Sequence, residues 1–157
     1  MQRETELEWE DRPWGSWRIV DSDVGYQVKR IRVLPGQRLS VQTHRYRSEH
    51  WVVVSGVATC LIGSDTMTAL PGECADVPLG VKHRLANQGP DPLVVVEVQC
   101  GSYLGEDDIQ RYEDDYGRCI EPPHEAAPAM PASSALTCRA ARAGTAMSSS
   151  ADSHHGS

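Results

Sequence analysis

The chain has no excess of positive charge, no long apolar run and no strong helical periodicity over most of its 157 residues. Its formal net charge is -7, whereas nucleic acids and anionic membranes attract proteins with a basic surface. No run approaches the roughly 18 apolar residues of a membrane-spanning helix. The first twelve residues are too polar and acidic for a secretory signal. We therefore expect a cytoplasmic protein that binds neither nucleic acid nor membrane.

The cysteines do not indicate a disulfide or metal-binding framework. They number five, an odd count, and no two of them have C-x-x-C spacing. This argues against both a disulfide scaffold and a zinc knuckle, and it favours reduced thiols. The residues are Cys60, Cys74, Cys100, Cys119 and Cys138.

Short apolar or alternating runs fill the chain between residues 14 and 99, and Gly, Pro and Asp turn signals separate them. This pattern is typical of strands. Eight or nine strands with no helix between them predict an antiparallel sandwich or barrel. The expected strands are 16–21, 26–34, 39–44, 50–55, 57–62, 66–69, 73–77, 83–86 and 93–99.

Two later segments have a different character. Residues 106–116, EDDIQRYEDDY, start with acidic residues that suit the positive end of a helix dipole, and we predict a short helix there. Ala, Ser and Pro dominate residues 119–157, which predicts a disordered tail. The expected organisation is an N-terminal arm at 1–11, one β domain at 12–118 and the tail.

Four side chains form a predicted metal site. Gln42 and His44 are two positions apart in an expected strand, so they project from the same face. Glu49 opens the next strand after a turn, and His83 opens a later one after a Pro-x-Gly turn. Imidazole, carboxylate and amide oxygen suit zinc or another divalent first-row ion. Gln42 is the weakest ligand of the four.

The spacing of these residues resembles the two cupin motifs. The first, G-x5-H-x-H-x3/4-E-x6-G, is matched with glutamine in place of the first histidine by Gly36, Gln42, His44, Glu49 and Gly56. The second, G-x5-P-x-G-x2-H-x3-N, is matched by Gly72, Pro78, Gly80, His83 and Asn87. The resemblance implies an all-β cupin fold, a double-stranded β-helix or jelly-roll barrel, with a metal held by Gln42, His44, Glu49 and His83.

Within the cupins, the chain is similar to the C-terminal isomerase domain of the type II phosphomannose isomerase family. The segments that carry this likeness are RPWGSW from Arg12, GYQVKRIRVLPGQRLSVQTHRYRSEHWVVVSG from Gly25, PLGVKHRLAN from Pro78 and EVQCGSYLGEDDIQRYEDDYGR from Glu97. The resemblance implies interconversion of mannose 6-phosphate and fructose 6-phosphate with a divalent metal, commonly zinc. It also implies a Gln-x-His start to the metal site. The family often has His where this chain has Tyr46, and the nucleotidyltransferase domain is missing from this sequence. We therefore expect a free-standing isomerase without guanylyltransferase activity.

Isomerisation requires a base that moves a proton between two carbons. Strand alternation places Leu93, Val95, Glu97 and Gln99 on one face, which predicts a carboxylate inside an apolar barrel. Burial would raise the pKa of Glu97 toward the working range of a general base. An exposed strand-edge carboxylate is the alternative interpretation. His50 is a rival base, but it follows Glu49 directly and should therefore face the opposite way.

Two basic residues are candidates for substrate binding and proton transfer. Lys29 shares a strand face with Ile31 and Val33, which directs its ammonium toward the barrel mouth. Arg47 lies in the turn between His44 and Glu49, and a guanidinium suits the geometry of phosphate. A sugar phosphate is therefore the expected small-molecule partner.

Two other functions and one assembly state follow from the same features. The chain could be a non-catalytic cupin module that binds a sugar phosphate or metal, or an Fe(II) oxygenase with an apolar cavity. A homodimer is expected because residues 1–20 contain three tryptophans, more than a small barrel is expected to bury alone.

Overall fold

The computed structural model describes residues 9–118, which contain eleven strands and one 3-10 turn. The predicted arm is thus described only from residue 9, and the predicted tail lies outside the described residues. The elements are β1 (Glu10–Arg12), β2 (Gly15–Asp23), β3 (Tyr26–Val33), β4 (Val41–Thr43), β5 (Arg47–Ser55), β6 (Ala58–Ile62), β7 (Asp65–Ala69), β8 (Cys74–Val77), β9 (His83–Ala86), β10 (Leu93–Gly101), the turn Glu106–Asp108 and β11 (Gln110–Glu113).

The strands form two antiparallel sheets. One has the order β1-β2-β3-β10-β5-β8 and the other β11-β4-β9-β6-β7. Strands β2 to β10 correspond one by one to the nine expected from the sequence, so the predicted all-β fold is confirmed. Within residues 9–118 no helix is long and apolar enough to cross a membrane.

Three neighbouring strands, β3, β10 and β5, change character along their inner faces. Each has apolar residues toward one end and polar ones toward the other, and all of these side chains are buried. The apolar set is Ile31, Val33, Trp51, Val53, Leu93 and Val95; the polar set is Lys29, Arg47, Glu49, Glu97 and Gln99. Antiparallel register pairs Lys29 with Glu97, and Gln99 with Glu49. The interior therefore has a hydrophobic end and a polar end.

The helix predicted at residues 106–116 is wrong. The segment forms the 3-10 turn and then β11, which pairs with β4 through Gln110 opposite Thr43 and Arg111 opposite Gln42. A short isolated helix is marginal in water, and the edge of β4 offers unpaired backbone groups. Tertiary pairing therefore outweighs the local preference of an acidic segment.

Candidate metal centre

His44, Glu49 and His83 meet at the polar end of the interior. One ligand atom from each lies within 4.8 Å of the others. His44 Nε2 is 2.9 Å from Glu49 Oε1, and His83 Nε2 is 3.5 Å from Glu49 Oε2. The three side chains are at most 2% exposed. These distances between the ligand atoms allow one cation to contact all three side chains.

Three local features deliver these side chains to one point. Glu49 is on the inner face of β5, while His44 follows the end of β4 and His83 begins β9. Strands β4 and β9 pair directly, with Gln42 opposite His83. The turn before β9 is tied to the same corner because Gly80 N donates to the carbonyl of His44 at 2.9 Å. The two motif segments are therefore locked together by backbone contacts.

The two imidazoles are oriented to present Nε2 as a ligand. Nδ1 of His83 lies 2.9 Å from the carbonyl oxygen of Val81, and Nδ1 of His44 lies 3.3 Å from that of Asp108. A carbonyl oxygen can only accept, so Nδ1 carries the hydrogen in the neutral form of each ring, and Nε2 then keeps a lone pair. Both Nε2 atoms are buried without a hydrogen-bond partner assigned within the described part of the chain, and each faces a carboxylate oxygen of Glu49. Such an arrangement is typical of metal-binding histidines.

The charge states at the centre also suit a cation. Burial opposes ionisation of Glu49, but His44 and His83 outweigh it and hold the pKa of this carboxyl far below its ordinary value. Burial lowers the pKa of His83, which favours its neutral imidazole. An ionised carboxylate and neutral imidazoles are the forms that bind divalent metals. The residues present therefore fit a divalent ion held by His44, Glu49 and His83.

Gln42, the fourth predicted ligand, lies beside this group. It is half-buried and lines the same cavity as Glu49. Its Oε1 accepts a hydrogen bond from Ser40 Oγ at 3.1 Å. An amide oxygen has two lone pairs, so this bond leaves one available. Ligation by Gln42 stays a prediction.

Glu97 is buried next to the metal centre and shares its hydrogen-bond donors. Trp51 Nε1 lies 3.1 Å from Glu97 Oε1 and 3.2 Å from Glu49 Oε2. Gln99 Nε2 lies 2.8 Å from Glu97 Oε2 and 3.2 Å from Glu49 Oε1. Burial, reinforced by the charge of Glu49, raises the pKa of Glu97 well above its ordinary value. Two carboxyl groups with opposite pKa shifts thus lie side by side.

Lys29 and Arg47 line the same cavity, and both are committed to partners within the chain. Lys29 is buried, pairs with Glu106 and lies 4.2 Å from the ring centroid of Trp17. Arg47 is buried with its Nε 3.5 Å from Glu49 Oε1, and its Nη1 donates to the carbonyl of Gly105 at 2.8 Å. Their predicted roles with substrate therefore require a change of partner.

His50, the rival base, lies on the outer face of β5. Its side chain is 36% exposed, and its Nδ1 is 2.5 Å from Asp76 Oδ1. It does not line the cavity beside Glu49. Strand alternation, which separates His50 from Glu49, accounts for this placement.

The cavity contains three arginines that the sequence analysis did not select: Arg12, Arg111 and Arg118. Arg111 was assigned to a predicted helix, so its strand face was not considered. Alternation within Ile109, Gln110, Arg111 and Tyr112, half-buried at the first and third positions, is the signal that could have identified it.

The family model described as mannose-6-phosphate isomerase C-terminal matches residues 2–114. The chain is 52% identical over 107 residues to the xanthan biosynthesis protein XanB of Xanthomonas campestris and 52% identical over 111 residues to the alginate biosynthesis protein AlgA of Pseudomonas aeruginosa. It is also 50% identical over 107 residues to the mannose-1-phosphate guanylyltransferase ManC of Salmonella typhimurium. These matches cover 68%, 71% and 68% of this chain. The resemblance predicted from the sequence motifs is confirmed.

The same matches correct one prediction. The chain spans only 22–23% of the length of these relatives, one of which is named a guanylyltransferase. The similarity is to one segment of larger proteins, so the prediction of a free-standing isomerase without a guanylyltransferase domain is wrong. Absence of that domain from 157 residues was too narrow a basis for it.

Solved structures support the fold independently. Oxalate decarboxylase OxdC of Bacillus subtilis matches 64% of this chain and 29% of its own with a TM-score of 0.58 at 23% identity. A protein of Klebsiella pneumoniae with a double-stranded β-helix domain matches 56% of this chain and 77% of its own, with a TM-score of 0.52 at 26% identity. The fold is therefore the cupin-type double-stranded β-helix.

Proposed function

Because this chain belongs to the mannose-6-phosphate isomerase C-terminal family, we propose that its domain is a metal-dependent aldose–ketose isomerase acting on mannose 6-phosphate. The observation that carries the proposal is the pair of buried carboxyl groups, Glu49 and Glu97, which share Trp51 and Gln99 as hydrogen-bond donors. One belongs to the ligand set and the other is free for proton transfer.

The metal is proposed to be zinc, held by His44, Glu49 and His83 with Gln42 as a fourth ligand. Two imidazoles, a carboxylate and a weak neutral donor form a set that zinc accepts with an open position. When bound, a divalent ion supplies a Lewis acid that polarises the carbonyl or hydroxyl oxygen of the sugar. Metal analysis of the purified protein tests the identity of the ion.

Glu97 is proposed to carry the proton. Its carboxylate accepts the proton from C2 of the open-chain aldose. The electron pair of that C–H bond forms the C1=C2 double bond, and the carbonyl pair moves to O1, which takes the proton of the C2 hydroxyl. The same carboxyl then returns its proton to C1 as the C2 carbonyl of the ketose forms. Its raised pKa suits this role, because a base works best when its pKa lies near the operating pH. Trp51 and Gln99 would hold the carboxyl in place through both its oxygens.

Lys29 and Arg47 are proposed to assist around the reacting carbons. Lys29 stands opposite Glu97 in the strand register, so its ammonium lies at the same polar end of the interior. Exchange of Glu106, which is 49% exposed, for a substrate oxygen would release the ammonium for this purpose. Arg47 adds positive charge beside Glu49 and anchors the loop carbonyl of Gly105.

Turnover of fructose 6-phosphate to mannose 6-phosphate by the zinc-loaded chain is the direct test. We expect His44→Ala to abolish turnover together with metal binding, because it removes a ligand. We expect Glu97→Gln to abolish turnover while zinc binding persists. His50→Ala is the matched control, since His50 lies on the outer face of the same sheet.

Failure of the wild-type chain to convert the sugar with zinc, cobalt or manganese would contradict the proposal. If the sugar phosphate still binds under those conditions, the domain is a binding module instead.

A homodimer and a cytoplasmic setting are also proposed. Trp14 is buried within the chain and Trp17 is half-buried, so only Trp9, at 41% exposure, still supports the tryptophan argument. Val52 and Val54, on the outer face of β5, are 39% and 53% exposed and offer apolar surface for a second copy. Sedimentation of the purified chain and cell fractionation test these two points.

A further inference from the structure

The cavity beside Glu49 and Glu97 is basic. Among residues 9–118, five cationic side chains line it, and the acidic ones are Glu49, Glu97 and Glu106. Burial raises the pKa of Glu97, so this carboxyl does not offset a full charge. The cations are Arg12, Lys29, Arg47, Arg111 and Arg118.

Four of these cations have partners within the chain. Lys29 pairs with Glu106, Arg47 contacts Glu49, Arg118 pairs with Asp114 at 2.7 Å, and Arg12 pairs with Glu10 at 3.1 Å. These ion pairs neutralise positive charge that would otherwise face the cavity.

Arg111 is the exception. Within residues 9–118 its guanidinium makes no hydrogen bond or ion pair, and its Nε is fully buried without a partner. Burial, together with the charges of Arg118 and Arg12, outweighs the nearby carboxylates of Asp114 and Glu106 and lowers the pKa of Arg111. A buried donor without an acceptor is costly, and more so when it is charged. The fold therefore maintains a guanidinium that an anion would stabilise.

The position of Arg111 suits the distal end of a sugar phosphate. It stands in β11 directly opposite Gln42 in β4, so it lies next to the proposed metal centre and is not part of it. In a hexose 6-phosphate the phosphate is four carbons away from C2, where the proton is abstracted. A ligand for that phosphate should therefore lie near the proposed ligands without contacting them.

We propose that Arg111 binds the phosphate group of the substrate, a role that the sequence analysis gave to Lys29 or Arg47. A guanidinium presents paired N–H donors that match two phosphate oxygens. Arg118, fixed by Asp114 and close enough to depress the pKa of Arg111, adds positive charge to the same site. This assignment rests on the proposed function and makes it more specific, because it names the residue that selects phosphorylated sugars.

Kinetics of Arg111→Met and Arg111→Lys in the zinc-loaded chain test this assignment. We expect Arg111→Met to raise the KM for fructose 6-phosphate by about 10–100-fold with a smaller change in kcat, the loss expected for hydrogen bonds to a charged group. Arg111→Lys keeps the charge without the paired donors, so its KM should lie between those of wild type and Arg111→Met. Arg32→Met is the matched control, because Arg32 is exposed and lies outside this cavity.

Binding of inorganic phosphate, measured by calorimetric titration, separates this inference from the isomerase proposal. We expect Arg111→Met to weaken phosphate binding about as much as it raises KM, and Arg32→Met to leave it unchanged. Wild-type turnover with an unchanged KM and unchanged phosphate affinity in both Arg111 variants overturns the inference and leaves the isomerase proposal intact. Loss of phosphate binding in the variants of a chain that shows no turnover supports the anion site and refutes the isomerase.

Both Arg111 variants are checked for folding by circular dichroism and for zinc binding. If Arg111→Met does not fold, the KM and the phosphate affinity of Arg111→Lys are judged by the same criteria. Failure of the wild-type chain to bind phosphate also overturns the inference.

Discussion

Replacing Glu97 with glutamine should stabilise the metal-free protein while it removes the proposed base. The carboxyl is fully buried and its pKa is raised, first by burial and then by the charge of Glu49. An amide at this position has no ionised form, so it avoids the cost of burying a charge. Its oxygen can still accept from Trp51. Its nitrogen takes the place of the oxygen that accepts from Gln99 Nε2, so it can donate to Gln99 Oε1 only after the Gln99 amide turns over and loses its contact to Glu49.

The magnitude follows from proton linkage. A group whose pKa is raised by folding contributes stability below its unfolded pKa, here 4.5, and loses that contribution as pH rises toward its folded value. The decline is at most about 1.4 kcal/mol in free energy of unfolding for each pH unit. Glu97→Gln lacks this decline. Glu49 is coupled to Glu97, but its own pKa lies far below its ordinary value, so it stays ionised from pH 5 upward in both chains. Its advantage over wild type should therefore grow with pH, by on the order of 1–3 kcal/mol between pH 5 and pH 8.

Urea unfolding of both chains at several pH values, in the presence of a chelator, measures the difference. The prediction is a positive difference that increases from pH 5 upward. A difference that is independent of pH, or one that favours wild type increasingly as pH rises, would refute the reasoning about the buried carboxyl.

Three further substitutions test the scaffold around the site by urea unfolding. Asn87→Ala removes two hydrogen bonds that the buried amide donates, to Val33 O and Asp91 O, and one that it accepts from Gly89 N, and should cost about 2–4 kcal/mol in free energy of unfolding. Gly101→Ala places a Cβ 2.0 Å from Tyr46 O and should cost on the order of 1–3 kcal/mol. Asp108→Ala removes a carboxylate that accepts from the backbone N–H groups of Arg45 and Tyr46, each at 3.1 Å, and should cost about 1–2 kcal/mol and weaken zinc binding about tenfold. Losses below about 0.5 kcal/mol at any of these positions would show that the corresponding contact contributes little.

Local patterns in the sequence were sufficient for most of the fold. Alternation and Gly or Pro turns located β2 to β10, because most of these strands bury one face and each ends where the chain must turn. Strand β11 was missed because the acidic residues just before it, Glu106–Asp108, favour a helix start locally, while its actual conformation depends on the open edge of β4. A pairing partner about 70 residues away leaves no local signal.

The same distinction applies to the candidate site: local patterns predicted some of its features, and long-range pairing determines the others. Motif spacing was enough to bring His44, Glu49 and His83 together, and alternation was enough to direct Glu97 inward. The shared donor Trp51 depends on the register of β5 against β10, and the pairing of Lys29 with Glu106 joins residues 77 positions apart. Such contacts are properties of the folded arrangement and could not be predicted from spacing.

Three buried side chains, His44, Glu49 and His83, are proposed to bind one divalent cation. Calorimetric titration of zinc into the chelator-treated chain measures this binding, with His44→Ala and Glu49→Gln as ligand variants and His50→Ala as the control. We expect one equivalent bound by wild type and by His50→Ala, with affinity reduced about 100-fold or more in both ligand variants. Zinc binding that is absent from wild type, or equally tight in His44→Ala, would contradict this proposal.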